Sequence, residues 1–150
     1  MAGQQRYTDA EGGFELELPA GWTAEPDREE GGVELSHPDG AGILHLVGVE
    51  QEGNEFLDAA EELYAFLEDQ GVELEEDEVE DVELDGGEMA LCEYVSAEDD
   101  GGEETFWMVG VATAPGRLVF ATYFCASGEE EEEREAVRRA LGTLRLNTEP

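Results

Sequence analysis

The amino-acid sequence predicts an α+β fold: a central antiparallel sheet of about seven strands with a helix on each face, an α/β/α sandwich. Three observations carry this. Short runs with a two-residue apolar period are separated by turn sequences. Two longer stretches place apolar residues three and four apart. Several runs are apolar on both faces, which calls for cover above and below a sheet. The 150 residues suit one domain, and a 40% hydrophobic fraction suffices for a core.

The first run, Phe14-Glu15-Leu16-Glu17-Leu18, alternates strictly between apolar and charged residues, as a half-buried strand does. A second, from about Val33 to His37, enters the turn Pro38-Asp39-Gly40 and leads into a strand from Ile43 to Val49, so the pair reads as a hairpin. A helix is expected from about Glu55 to Gln70, with Asn54 as N-cap and Gly71 at the left-handed position after its end. Phe56, Ala60, Leu63 and Leu67 form its apolar stripe, widened by Leu57 and Tyr64. Glu68 and Asp69 sit at the unfavourable end of its dipole, which costs less when salt screens them.

Four strands follow. Val79 to Leu84 ends at Asp85-Gly86-Gly87, and Met89 to Val95 ends at Asp99-Asp100-Gly101-Gly102. Thr105 to Ala112 ends at Ala114-Pro115-Gly116, and Leu118 to Ala126 closes the set. Short turns between consecutive strands imply an antiparallel meander. A last helix is expected behind a Ser127-x-x-Glu130 capping box, with Ala136, Val137, Ala140 and Leu141 as its stripe and Gly142 at its end. Arg138 and Arg139 lie at the favourable end of that dipole, and Glu129 to Glu133 in its first turns. Ile43 to Val49, Thr105 to Ala112 and Leu118 to Ala126, apolar on both faces, belong at the centre of the sheet. Phe14 to Leu18 and Val79 to Leu84, charged on one face, suit its edges.

Charge sets the next boundary. The chain holds 41 acidic residues, seven arginines and no lysine, a formal net charge of −34. Such a charge repels itself in dilute buffer, and multi-molar salt screens that repulsion. The surface therefore reads as an adaptation to a salt-rich cytoplasm, as in a halophile. It opposes binding to nucleic acid, which needs clustered Lys and Arg, and to anionic membranes. No basic segment followed by an apolar run opens the chain, and no apolar stretch approaches ~20 residues, so a cytoplasmic protein is expected. A nucleic-acid mimic or a calcium binder would concentrate its acids. Here they occur in almost every block of ten residues, so a solvated surface is the simpler reading.

The segment Gly13 to Trp22, GFELELPAGW, resembles the opening of PsbP-like domains: Gly-Phe, an alternating strand, Pro, then Gly-Trp. LDGGEMALCEYVSA is similar to the central strand of that family, and GRLVFATYFCAS with the terminal helix to its closing elements. The family includes the extrinsic photosystem subunit PsbP, a yeast Ran-binding nuclear import factor and many small bacterial proteins. The resemblance covers nearly the whole chain in element order. It implies a scaffold used mainly to bind proteins and seldom for catalysis, and no partner-surface residue maps onto this chain.

Candidate chemical groups weigh little. His37 and His45 flank the Pro38-Asp39-Gly40 turn near Ser36, but no Gly-x-Ser-x-Gly elbow accompanies them, and a turn serine and a strand histidine explain them better. Cys92 and Cys125 lack zinc-site spacing and sit in apolar strands, where a free thiol behaves as a small hydrophobe. Glu93 interrupts the apolar run Met89, Leu91, Val95 and is the one candidate for a raised pKa, although a salt-bridged glutamate is the plainer reading. Asp77 to Asp81 lacks the order of an EF-hand loop. Trp22 and Trp107 read as core anchors that also suit a shallow partner groove. The resemblance thus implies a non-catalytic, protein-binding domain, and no motif in the sequence points to a metal or cofactor. The alternative is a small hydrolase or ligand-binding protein with a pocket beside the sheet.

Overall fold

Most of the molecule hangs on one antiparallel sheet. The structure, a computed structural model, describes residues 5–9, 14–18, 21–26, 32–38, 40, 42–50, 58–69, 71, 79–84, 87–97, 104–114, 117–129, 131 and 133–146. In chain order the strands are β1 (Gln5–Asp9), β2 (Phe14–Leu18), β3 (Thr23–Pro26), β4 (Val33–Ser36) and β5 (Ile43–Glu50). After helix α1 (Ala59–Asp69) come β6 (Val79–Leu84), β7 (Gly87–Ala97), β8 (Glu104–Ala114) and β9 (Arg117–Ala126). Helix α2 (Arg134–Gly142) and the short β10 (Arg145–Leu146) close the chain.

Seven of these strands form one sheet in the order β3-β4-β5-β9-β8-β7-β6, every neighbour antiparallel. The strands expected at the centre, β5, β9 and β8, are there. They are the apolar ones, and only a central strand has cover on both faces. β6 to β9 run as the expected meander, and β4 and β5 as the expected hairpin, whose turn closes with Gly40 N–H donating to His37 O at 2.9 Å. β6 lies at one edge with its acidic residues exposed, as expected. The other edge is taken by β3, a strand that no apolar period announces.

Phe14–Leu18 is therefore not an edge of the main sheet. It is the middle strand of a second, three-stranded sheet ordered β1-β2-β10. β1 pairs along its whole length, and β10 pairs Arg145 with Glu15 and Leu146 with Phe14. Those two partners satisfy its backbone on both sides, while Phe14, Leu16 and Leu18 point inward and are buried. Glu17 N–H donates to Thr143 Oγ1 at 2.8 Å, fixing the small sheet to the end of α2.

The two faces of the main sheet bury different residues, because successive side chains of a strand alternate. Met89, Leu91, Met108, Ala112, Val119, Ala121, Tyr123 and Cys125 share one cluster with Leu16, Leu18, and Val137, Ala140 and Leu141 of α2. Ala90, Cys92, Val109, Val111 and Leu118 share the other with Ala59, Leu63 and Leu67 of α1. The layer on the α2 side is thus a helix and a small sheet together.

Both helices start later than the sequence suggests. Asp58 caps α1, its Oδ1 accepting the N–H groups of Ala60 at 3.0 Å and Glu61 at 3.4 Å. The proposed cap Asn54, with Phe56 and Leu57, lies outside the described residues. Gly71 does end this helix in the left-handed region, at φ +82°. The Ser127-x-x-Glu130 capping box does not start α2. Ser127 and Gly128 instead form a turn in which Glu129 N–H bonds to Ala126 O at 3.1 Å and Gly128 takes φ +99°. The helix begins after Glu133, whose carbonyl accepts Val137 N–H at 2.8 Å.

Candidate functional site

β7, β8 and β9 are neighbours in the sheet, and their register sets Tyr94 opposite Trp107 and Trp107 opposite Phe124. The first two rings stack, with centroids 6.2 Å apart and planes 12° apart; Trp107 and Phe124 lie at 5.3 Å. Trp107 Nε1–H donates to Ser96 Oγ at 2.7 Å, which fixes the indole. Ile43 of β5, opposite Phe124, continues the row. α1 packs on this same face farther along the strands, over Val109, Val111 and Leu118. Tyr94 and Trp107 remain half-buried and Phe124 is 38% exposed. Burial, with the Cys92 thiol adding to it, holds the Tyr94 phenol above its ordinary pKa. Fixed, half-exposed aromatic rings offer large contact area at low entropic cost, and protein interfaces are enriched in them.

On the opposite face, Glu93 receives two hydrogen bonds from Arg134, at 2.8 and 2.6 Å, and one from Arg138 at 2.8 Å. Arg138 also pairs with Glu80 of β6. Burial pushes the Glu93 carboxyl up, but the hydrogen bonds and charges of Arg134 and Arg138 outweigh it and leave the pKa below its ordinary value. Glu93 is therefore an ion-pair partner that ties α2 to the sheet, and the opposite of a proton donor near neutrality. The cleft around it, ≈ 370 Å³, is lined by Val79, Glu80, Leu91, Cys92, Glu93, Arg134 and Arg138. Its charges already face one another.

Among the described residues, Glu133 is the one carboxylate that is buried, 6% exposed. Its Oε1 accepts the Tyr123 phenol at 2.7 Å and Gly42 N–H at 2.9 Å. Gly40 packs so close to this carboxylate that a Cβ there would collide with it. Burial and the Glu133 hydrogen bond push the Tyr123 phenol far above its ordinary pKa. Sequence reasoning missed Glu133 because it is one of five consecutive glutamates. Only the distant Tyr123 and Gly42 distinguish it.

Among the described residues, the remaining candidates lie in separate elements. Ser36 ends β4, His37 sits against Gly21, and His45 lies opposite Glu34 on one side and Thr122 on the other. Asp39 and Asp77 fall outside the described residues. Cys92 and Cys125 are buried and not joined by a disulfide, one in each core cluster, with β8 between their strands. Among the described residues, no group of three or more His, Cys, Asp or Glu is placed to hold a metal. Trp22 is core, as expected, whereas Trp107 belongs to the half-exposed aromatic row. No described helix is long and apolar enough to cross a membrane.

No sequence-family model matches the chain, and no curated protein matches it. Solved structures do. The solution structure of PsbP from the cyanobacterium Synechocystis matches with a TM-score of 0.69 and 19% identity, over 97% of this chain and 94% of that one. A crystal structure from Bacteroides thetaiotaomicron matches with a TM-score of 0.68 and 16% identity. It covers 99% of this chain, which spans 50% of that longer protein. The chain has a PsbP-like fold.

Proposed function

We propose that this chain is a non-catalytic module that binds another protein through the Tyr94–Trp107–Phe124 row, in the cytoplasm of a halophile. The carrying observation is that row: three aromatic rings in register on adjacent strands, held in place and open to solvent. Large apolar side chains kept at a surface in one continuous patch suit docking better than stability. The net charge of −34 supports the salt-rich setting. The test is capture from source-cell lysate at multi-molar KCl, using wild type and a Trp107→Ala/Phe124→Ala variant matched for folding. A partner identified this way must bind again when purified. Binding to wild type and loss from the variant supports the reading; equal binding to both overturns it.

A second reading, a small hydrolase or ligand binder, draws on one observation. A cleft of ≈ 510 Å³ beside Phe124 is lined by Gly42, Ile43, Glu104, Thr105, Phe124, Cys125, Ala126 and Ser127. Ester and phosphoester screens at high salt address it. Turnover lost on Ser127→Ala in a folded protein would favour this reading over protein binding.

A further inference from the structure

Beside the aromatic row, the same sheet face carries a second cross-strand row, two residues farther along the strands. Thr122 lies opposite His45, His45 opposite Glu34, and Glu34 opposite Glu25. Glu34 is half-buried and Glu25 exposed. Like charges directly opposite on neighbouring strands destabilise a sheet, so this pair weakens the β3–β4 edge that carries it. The half-exposed aromatic rings on this face are π-systems, whose negative quadrupole attracts cations. The face thus carries aromatic rings and two facing carboxylates, and both features attract the same kind of group.

We propose that this face receives an arginine-bearing segment of the partner protein, laid across the strands, with one guanidinium over Trp107 and another between Glu25 and Glu34. The proposal rests on the protein-binding reading above and specifies the chemistry of the partner. A guanidinium is planar: it stacks on aromatic faces and forks onto carboxylates, which an ammonium does less well. It would also neutralise the Glu25–Glu34 repulsion. Acids spread over the rest of the surface attract any cation loosely. Among the described residues, Glu25 and Glu34 are the facing pair on the same side of the sheet as the half-exposed rings and clear of α1, whereas the facing pair Glu83 and Glu88 lies by the start of that helix. Trp107 and Glu34 are separated by three strand spacings and two residues along the strand, roughly 16 Å, and six residue steps of extended chain, about 20 Å, reach past Glu34 toward Glu25 while keeping both arginines on one side.

The probe is the peptide acetyl-Arg-Thr-Val-Thr-Val-Thr-Arg-amide, whose two Arg share one side of the extended chain, with versions carrying norleucine or Glu in place of both Arg. Binding is measured by NMR titration at 1 M KCl, where a Debye length of about 3 Å removes long-range attraction. The Trp107 indole N–H, hydrogen-bonded to Ser96, is the reporter. The Arg peptide is expected to shift it and to bind about tenfold tighter than the norleucine peptide, the scale of one exposed cation–π contact plus one ion pair. Glu25→Gln/Glu34→Gln, and the milder Glu25→Gln alone, should weaken the Arg peptide. Asp81→Asn/Glu83→Gln, which removes the same charge from β6, should not. Equal binding of the Arg and norleucine peptides, or equal weakening by the β6 control, would overturn the cationic partner and leave protein binding by this face standing. An unshifted Trp107 signal with every peptide would overturn the cationic partner as well.

Discussion

Tyr123 donates its phenolic hydrogen to the buried carboxylate of Glu133 at 2.7 Å, joining the middle of β9 to the start of α2. Gly42 N–H donates to the same oxygen at 2.9 Å, so a single carboxylate ties together β9, the entry to β5 and α2. Glu133→Ala leaves two buried donors unpaired and is expected to destabilise the protein by about 2–5 kcal/mol. Glu133→Gln keeps an acceptor in place and should cost less than half as much. Chemical denaturation at high salt measures both. Equal losses for Ala and Gln would show that the charge, and not the acceptor, is what the site requires.

Glu93 gives a pH signature. Its folded pKa is depressed below the ordinary 4.5, so its stabilisation is fully present above the unfolded pKa and is lost as pH falls through the folded value. The stability gap between wild type and Glu93→Gln should therefore be constant near neutrality and shrink below about pH 4.5. Taking this difference removes the separate effect of acidification on overall charge. A gap that widens on acidification would contradict the ion-pair role.

Trp22 and Trp107 should respond differently to truncation. Trp22 is 6% exposed within the larger core cluster, so Trp22→Ala is expected to cost about 3–5 kcal/mol. Trp107 lies in the half-exposed row, and Trp107→Ala should cost under about 2 kcal/mol. Urea titrations of the two variants test this. A loss at Trp107 as large as at Trp22 would make the row a structural element.

Cys92 and Cys125 should both titrate as free thiols in unfolded protein without reductant. With β8 between β7 and β9, their Cα atoms are two strand spacings and three residues apart, roughly 14 Å, beyond the ~7 Å reach of a disulfide. Finding no free thiol would contradict the strand order.

Stability should rise steadily with KCl. Ion pairs among the described residues include those of Arg134, Arg138 and Arg145, while α1 carries Glu61, Glu62, Glu68 and Asp69 and no basic residue in its last turn. Salt screens the unbalanced repulsion that low salt leaves in place. A melting temperature unchanged from dilute buffer to multi-molar KCl, with the protein folded throughout, would remove the halophile reading.

Strands with a clear period were legible in the sequence, and so was the centre of the sheet, because apolar residues on both faces of β5, β8 and β9 admit only a covered position. β1 and β10 were not legible. Gln5–Asp9 is mostly polar and Arg145–Leu146 is two residues long, so neither carries a period, and without them β2 could not be assigned to its own sheet. β3, with its glutamate and proline, was hidden for the same reason. The aromatic row was partly within reach. Trp107 and Phe124 are equidistant from the Ala114-Pro115-Gly116 signal in the sequence, so a hairpin expected there sets them opposite each other, as the register of β8 and β9 does. Glu133 had no local signal at all.

The most direct measurement is hydroxyl-radical footprinting of the protein at multi-molar KCl, in source-cell lysate and in buffer. Modification of Trp107 and Phe124 is read relative to Val95, which is 48% exposed on the other face of the sheet. Protein binding by the aromatic row predicts that the lysate lowers both ratios in wild type, and that in the Trp107→Phe/Phe124→Ala variant the ratio read at Tyr94 is the same in lysate and buffer. Ratios for wild type that are the same in lysate and buffer would contradict it.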